Sequence, residues 1–281
     1  MKNIIACIDG SPMTLATCEA SAWVASKINA PLILLHALDK TTRPVVSELS
    51  GQIGLGSQEE LLNELAKLDE ARSKVALKHG KQLLEEAAEW VMNKGISHVE
   101  QLQRHGSLLE SLIDLENELR VLVIGKLGEE QDSNKTIGSQ LESVIRSIKS
   151  HTLVVNAPFS IPTSYLIAFD GSPTSEKLIE KAINTPLLLG LDCHLVMVDD
   201  FAEKNAAFEK AAIKLKNAGL SVHEDILSGS VDDALLKYQK DHQIGMMVMG
   251  AYGHSTLRQF FLGSNTTKVL IKSEVPLLLI R

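Results

Sequence analysis

The sequence predicts an α/β protein built from two tandem, doubly wound domains, each with a five-stranded parallel sheet and helices on both faces. In each half, short apolar runs alternate with helical patterns, which is typical of parallel strands joined by crossover helices. The runs 121–124 and 246–249 are continuously apolar, as expected of strands buried on both faces. The length of 281 residues also suggests about two domains.

Two internal repeats show that the halves are copies of one design. The segment 4–12 (IIACIDGSP) returns as 165–173 (YLIAFDGSP). A glycine pattern, G-x2-G-x9-G-S, also occurs twice, and its residues are Gly125, Gly128, Gly138 and Ser139 in the first half and Gly250, Gly253, Gly263 and Ser264 in the second. A glycine-rich turn that leads into a helix lets the backbone approach a phosphate closely.

The repeats place the domains at residues 1–157 and 163–281. Pro158 and Pro162 flank a short stretch between them, and such a pair favours an extended linker.

The elements follow in order from the apolar and helical patterns. In the first half we predict strands at 4–8, 32–38, 97–103, 121–124 and 152–156, helices at 13–27, 108–119 and 140–150, a loop at 40–58 and one long or two shorter helices at 59–94. In the second half we predict strands at 165–169, 194–198, 221–226, 246–249 and 277–280, with a helix at 202–218. The segment 58–94 is rich in good helix formers, and it either extends the cover of the sheet or offers a partner surface or a lid beside the first site.

Composition excludes several functions. The net charge of −7 argues against general binding to nucleic acid or anionic membranes. No apolar run reaches about 18 residues, and the amino terminus does not resemble a signal peptide. The three cysteines form no C-x-x-C pair and the nine histidines show no ligand spacing, so we expect a cytoplasmic protein with reduced thiols and no protein metal site.

Polar motifs follow strands one and four of each half, where doubly wound sheets bind ligands. Asp9 and Asp170 come directly after strand one, and either carboxylate could accept hydrogen bonds from a ribose or an adenine edge. An aspartate before Gly-Ser-Pro is also a common turn former or helix cap, so both interpretations remain open. The second glycine motif ends in Ser264, Asn265 and Thr266, which open a helix whose N–H groups suit phosphates. Arg258 in its spacer adds positive charge.

Together these residues resemble the universal stress protein family in its tandem form. The resemblance implies Rossmann-like domains with sheet order 3-2-1-4-5 and, in the nucleotide-binding branch of the family, ATP between strands one and four, with Mg²⁺ carried by the nucleotide. It implies contacts to adenosine, ribose and phosphates in the second half from Asp170, Val198, Met249, Gly250, Gly253, Gly263, Ser264, Asn265 and Thr266. The matching first-half positions are Asp9, Ala37, Ile124, Gly125, Gly128, Gly138, Ser139 and Gln140.

The two halves differ in their spacers. The first spacer holds Glu129, Glu130 and Asp132 against Lys135, whereas the second holds Arg258 and no acid. A loss of 1–2 kcal/mol at the first site would weaken binding on the order of tenfold. We therefore expect the second half to bind ATP and the first half to be a degenerate, weaker site.

We find no P-loop, no G-x-G-x-x-G and no nucleophile–base pair. The resemblance implies an ATP-binding regulatory stress-response protein, and the lack of these motifs predicts little or no turnover. The alternatives are a module that binds another small molecule or a protein, and a slow ATPase. The last strands of the halves are expected at sheet edges, which are sticky unless paired, so they should pair within the chain. A homodimer of whole chains remains possible.

Overall fold

A computed structural model of the protein describes residues 2–38, 55–127, 139–198, 202–250 and 264–281. Its strands are β1 (Asn3–Cys7), β2 (Leu32–Leu38), β3 (Val99–His105), β4 (Leu119–Gly125), β5 (His151–Val155), β6 (Ser164–Phe169), β7 (Asp192–Val198), β8 (Val222–Leu227), β9 (Met247–Gly250) and β10 (Leu277–Ile280). Its helices are α1 (Thr14–Ile28), α2 (Leu55–Asn93), α3 (Leu108–Asp114), α4 (Ser139–Ser147), α5 (Pro173–Ile183), α6 (Ala202–Asn217), α7 (Val231–Asp241) and α8 (Ser264–Lys272).

All ten strands form one sheet in the order β3-β2-β1-β4-β5-β10-β9-β6-β7-β8. Each half therefore has the order 3-2-1-4-5, as the family resemblance implied. Within each half the paired strands are parallel. Strand one lies beside strand four in both halves, so the two polar motifs of each half meet at one edge of the sheet.

The halves join through β5 and β10, which pair antiparallel with Leu278 opposite Leu153. The expected pairing of the last strands within one chain is thus confirmed. Because this one pairing is antiparallel, the strands of the two halves run in opposite directions. The carboxyl edge of the first half is therefore on the opposite side of the sheet from the carboxyl edge of the second.

Side chains of the first half also cross this junction to carbonyls of the second. Lys126 follows β4 and its ammonium donates to the carbonyls of Ile271, at 2.6 Å, and Ser273, at 2.9 Å, at the end of α8. The amide of Asn156 donates to the same Ser273 carbonyl at 2.7 Å. Both donors satisfy carbonyls that a helix end leaves without intrahelical partners.

Two apolar layers cover the faces of the sheet. One lies under α1, α2, α5 and α6, and includes Trp23 and Phe159, whose ring centroids are 6.1 Å apart across the junction. The other lies under α3, α4, α7 and α8. Both layers contain buried residues of both halves, so the protein has continuous cores.

The structure corrects the predicted helix at 108–119. Helix α3 ends at Asp114, and Leu119 already begins β4, where it is 1% exposed. The hydrophobic pattern of 115–119 belongs to a turn and a strand rather than to more helix. The predicted helical pattern at 59–94 is one helix, α2, which begins earlier, at Leu55. The predicted loop at 40–58 otherwise lies outside the described residues.

The three cysteines are free. Burial raises the pKa of Cys18 to about 12 and that of Cys193 to about 11, which disfavours the reactive thiolate. No helix among the described residues is long and apolar enough to cross a membrane.

A histidine cluster packs at the outer end of the second half. His194 Nδ1 lies 3.0 Å from the Tyr238 hydroxyl, which donates to Asp225. The His194 ring stacks on His223 with centroids 4.6 Å apart, and the His242 centroid is 5.8 Å away. Burial lowers the pKa of His194, and the neighbouring His223 and His242 add to this, against the opposing carboxylates of Asp225 and Asp192.

We expect Lys126→Met to lower the free energy of unfolding by about 1–2 kcal/mol, because two carbonyls at the end of α8 lose a charged donor. Urea denaturation measures the change. The exposed Lys149 gives a matched control, and Lys149→Met should change stability by less than about 0.5 kcal/mol. Equal effects of the two substitutions would contradict the role of Lys126 at the junction.

We expect the protein to lose stability as the pH falls below about 6.5, the ordinary pKa of histidine. The folded-state pKa of His194 is lowered, so its contribution is complete above the unfolded pKa and is lost as the pH falls towards the folded pKa. Burial also lowers the pKa of His151, so His151 changes the stability with pH in the same direction. Thermal unfolding between pH 7.5 and 5 should show a shallower fall for His194→Gln. Parallel curves for the two proteins would refute this.

Candidate functional site

The loops after β1 and β6 have the same turn. Asp9 Oδ1 accepts from the Ser11 N–H, and Asp170 Oδ1 accepts from the Ser172 N–H, each at 3.0 Å. The intervening glycines have φ values of 83° and 74°, which glycine adopts freely. The turn-forming role of both aspartates is therefore present, and it holds each carboxylate at the carboxyl edge of its half.

The turn also sets the start of the next helix. Ser172 caps α5 by accepting from the Ser175 N–H at 3.1 Å, and Pro173 occupies the first turn. In the first half, Ser11 accepts from the Met13 N–H at 3.2 Å instead, and α1 begins at Thr14 without a side-chain cap. The residue after the proline, Met13 or Thr174, consequently lies beside the end of strand four.

That residue distinguishes the crevices of the two halves. We call the space over the glycine that ends strand four, Gly125 or Gly250, the floor of the crevice. A Cβ built on Gly250 would lie 3.8 Å from Thr174 Cγ2, which is ordinary contact. A Cβ built on Gly125 would lie 2.7 Å from Met13 Cβ and 3.1 Å from its Cγ. Among the residues that the structure describes, the floor at Gly250 thus retains space, whereas Met13 fills the equivalent space over Gly125. The sequences differ here at one position, DGSPM at 9–13 against DGSPT at 170–174, but the letters alone do not show that this residue contacts the end of strand four.

A different side chain covers each strand-one loop. In the second half, Lys204 of α6 lies over Gly171, with its side-chain carbons 3.2–3.5 Å from a Cβ built there. In the first half, His79 and Leu83 of α2 lie 3.8 Å from the same position on Gly10. The second crevice therefore has a cation beside its aspartate loop. Sequence reasoning missed Lys204, because the repeats diverge between strands two and three and offer no alignment there.

The phosphate end of the predicted site lies at the start of α8. The chain leaves β9 at its carboxyl end, and α8 leads back to the parallel β10, so the amino terminus of α8 lies at the same edge as Asp170. Ser264 and Asn265 are exposed there. Thr266 is only 7% exposed, and its counterpart Leu141 is 3% exposed in the core, so Ser264 and Asn265 are the more accessible groups.

The adenosine end is formed by adjacent strand ends. Strand β6 lies between β7 and β9, which brings Asp170, Val198 and Gly250 to one edge. Met249 and Ile124 are buried, at 7% and 6% exposed, so a ligand would meet their backbone rather than their side chains. In the first half, the same edge carries Asp9, Ala37 and Gly125, with Gln140 exposed in α4.

The remaining predicted positions, Gly128, Gly138, Gly253, Arg258 and Gly263, lie outside the described residues, and so do both spacers and the side chain of Ser139. Within the described part of the chain, no group of three or more histidine, cysteine or carboxylate side chains is arranged to hold a metal ion.

Comparison with known proteins identifies a family. Residues 1–156 and 164–281 each match the model of the universal stress protein family. Universal stress protein Slr1230 of Synechocystis is 34% identical, and the alignment covers 100% of both chains.

Solved structures share the architecture. A universal stress protein from Archaeoglobus fulgidus matches with a TM-score of 0.74 at 18% identity, covering 99% of this chain and 98% of that chain. A universal stress protein solved in complex with cAMP matches 43% of this chain and 98% of its own at 23% identity, with a TM-score of 0.38.

We expect alanine to have opposite consequences at the two strand-four glycines. Gly125→Ala should lower the free energy of unfolding by about 1–3 kcal/mol, because the added methyl overlaps Met13. Gly250→Ala is the matched control and should be neutral to within about 0.5 kcal/mol or slightly stabilising, because its Cβ has room. Urea denaturation of both variants tests the difference, and an equal loss at the two positions would show that the floors are alike.

Proposed function

The chain belongs to the universal stress protein family, and on that premise we propose that it is an ATP-binding regulatory protein whose nucleotide is held in the second half, between β6 and β9. The proposal treats 1–157 and 163–281 as separate functional units, of which the first is the weaker site. Adenosine would lie against the ends of β6, β7 and β9. The triphosphate, with its Mg²⁺, would extend to the glycine motif and the start of α8.

One observation carries this assignment to the second half. A nucleotide can approach the protein main chain at the end of strand four only if there is space over the glycine there. Of the described residues, only the short Thr174 side chain lies near a Cβ built on Gly250, at 3.8 Å, whereas Met13 Cβ lies 2.7 Å from a Cβ built on Gly125. This difference supports the second half as the site with room for a nucleotide.

Charge supports the same assignment. Lys204 lies over the Asp170 loop in the second half, where the first half has His79 and Leu83. The first turn of α8 adds main-chain N–H groups and the positive end of the helix dipole, which favour phosphate. Arg258 in the second spacer contributes a further cation.

The proposed role is binding rather than efficient catalysis. The sequence contains no P-loop and no recognisable nucleophile–base pair, and Asp170 already holds its own turn. Turnover of ATP faster than about 1 s⁻¹ would fall in the ordinary enzyme range and would contradict this part of the proposal.

We expect Thr174→Met to weaken binding of Mg·ATP at least about tenfold, which is roughly 1.4 kcal/mol, because a longer side chain at this position would extend into the space over Gly250. Isothermal titration calorimetry on the full chain measures the affinity and the number of sites. The unsubstituted protein should show one strong site per chain.

Met13→Thr is the matched control for this experiment. It makes the reciprocal change in the first half, so the affinity of the strong site should stay the same. If Met13→Thr rather than Thr174→Met alters the strong site, the nucleotide is in the first half. Absence of any heat or co-purifying nucleotide with the unsubstituted protein would leave the protein-interaction alternative.

A further inference from the structure

The amino-terminal part of α2 is an exposed helical arm. We define the arm as residues 63–79. Nearly all of its side chains are exposed, whereas the following segment packs on the sheet through Leu84, Ala87, Ala88 and Val91. At 1.5 Å per residue, the arm is about 25 Å long. Tertiary packing supplies most of the stability of protein helices, and the described residues of the chain give the arm little of it.

One face of the arm carries an apolar stripe with heptad spacing. Leu65, Leu68 and Val75 follow the alternating 3–4 pattern, with Arg72 at the remaining seam position. Leu68 is 55% exposed and Val75 is 68% exposed. A shallow groove runs along the same face, lined by Leu68, Ala71, Arg72, Val75, Ala76 and His79. This spacing is that of the contact face of one helix in a two-stranded coiled coil. We call the face formed by residues 65, 68, 72 and 75 the seam.

The charges are unevenly distributed along the arm. Before Ala71 the three acids Glu64, Asp69 and Glu70 outnumber the one base, Lys67, and after it Arg72, Lys74 and Lys78 are all basic. Within the described part of the chain, Glu64, Asp69, Arg72 and Lys78 have no ion-pair partner. Glu70 and Lys74 pair with each other at 2.8 Å on the outer face. The charges of these four side chains therefore remain available to another helix.

We propose that two copies of the chain dimerise by antiparallel packing of their arms. An antiparallel arrangement places the acidic half of one arm beside the basic half of the other, which a parallel one would not do. It also makes the contact self-complementary, as a twofold interface requires.

The heptad positions fix the register of this dimer. Placing Leu65 opposite the partner's Val75 also places Leu68 opposite the partner's Arg72. On one flank, Glu64 then faces the partner's Lys78, and this pair occurs twice by symmetry. Near the twofold axis, Asp69 lies on the same flank as the partner's Asp69, and Arg72 of each chain lies within reach of the partner's Asp69. The two arginines thus act as counter-ions to this acidic pair.

The apolar seam is tested with the full chain by sedimentation velocity. At about 100 μM, the unsubstituted protein should sediment as a dimer, and Leu68→Glu with Val75→Glu should sediment as a monomer. Both side chains are more than half exposed, so the variant should keep its fold, which circular dichroism and the thermal midpoint check. A monomeric unsubstituted protein, or a dimer that survives the double substitution, would overturn the proposal.

Charge exchange tests the direction of packing. Glu64→Lys or Lys78→Glu alone should raise the dissociation constant about tenfold, because two symmetry-related pairs become repulsive at once. The double variant Glu64→Lys/Lys78→Glu should return to within about threefold of the unsubstituted value. The matched control Glu70→Lys/Lys74→Glu exchanges the outer-face pair and should leave dimerisation unchanged. Failure of the double variant to recover would exclude the antiparallel register.

Discussion

The pairing of β5 with β10 is the constraint on which the rest of the molecule depends. Each half ends in a strand that would otherwise be an open edge of apolar residues, since Leu153, Val154, Leu278 and Leu279 are all at most 1% exposed in the joined sheet. An unpaired edge of this kind promotes association with other chains. By pairing the two edges with each other, the tandem chain closes both and merges two small cores into continuous layers.

The antiparallel sense of this pairing determines where the two crevices lie. The strands of the halves run in opposite directions, so the candidate sites open on opposite sides of one sheet. The same geometry brings the carboxyl-terminal end of α8 to the edge of the first site, where the Lys126 ammonium donates to the carbonyls of Ile271 and Ser273. Lys126 stands between Gly125 and Gly128 of the first glycine motif. The first motif therefore has a structural role in holding the helix that opens the second site.

Much of the fold followed from the sequence because two strong signals agreed. The aliphatic runs and the duplicated motifs gave the strands, their parallel direction and the pairing of the halves. Helix α3 was predicted too long because apolar residues at 115 and 119 fit helical spacing equally well, and only the pairing of Leu119 beside Asn3 shows that a strand has begun. Such competition between local pattern and strand pairing is decided by contacts distant in sequence.

The backbone positions of the candidate site could be predicted from the sequence, whereas the side chains that pack around them could not. Asp170, Gly250 and the start of α8 come from repeated motifs that fix local conformation, so their positions at one edge could be inferred from topology. Lys204 and the contact between Met13 and Gly125 depend on how helices α6 and α1 pack over those motifs. Packing of this kind has no local signature. The two floors differ in how the residue after the proline is placed: Met13 Cβ lies 2.7 Å from a Cβ built on Gly125, whereas the nearest described atom to a Cβ built on Gly250 is Thr174 Cγ2, at 3.8 Å. The helices that follow begin differently, since Ser172 accepts from the Ser175 N–H while Ser11 accepts from the Met13 N–H. The start of the helix, together with the side chain after the proline, therefore sets access to the crevice at the end of strand four.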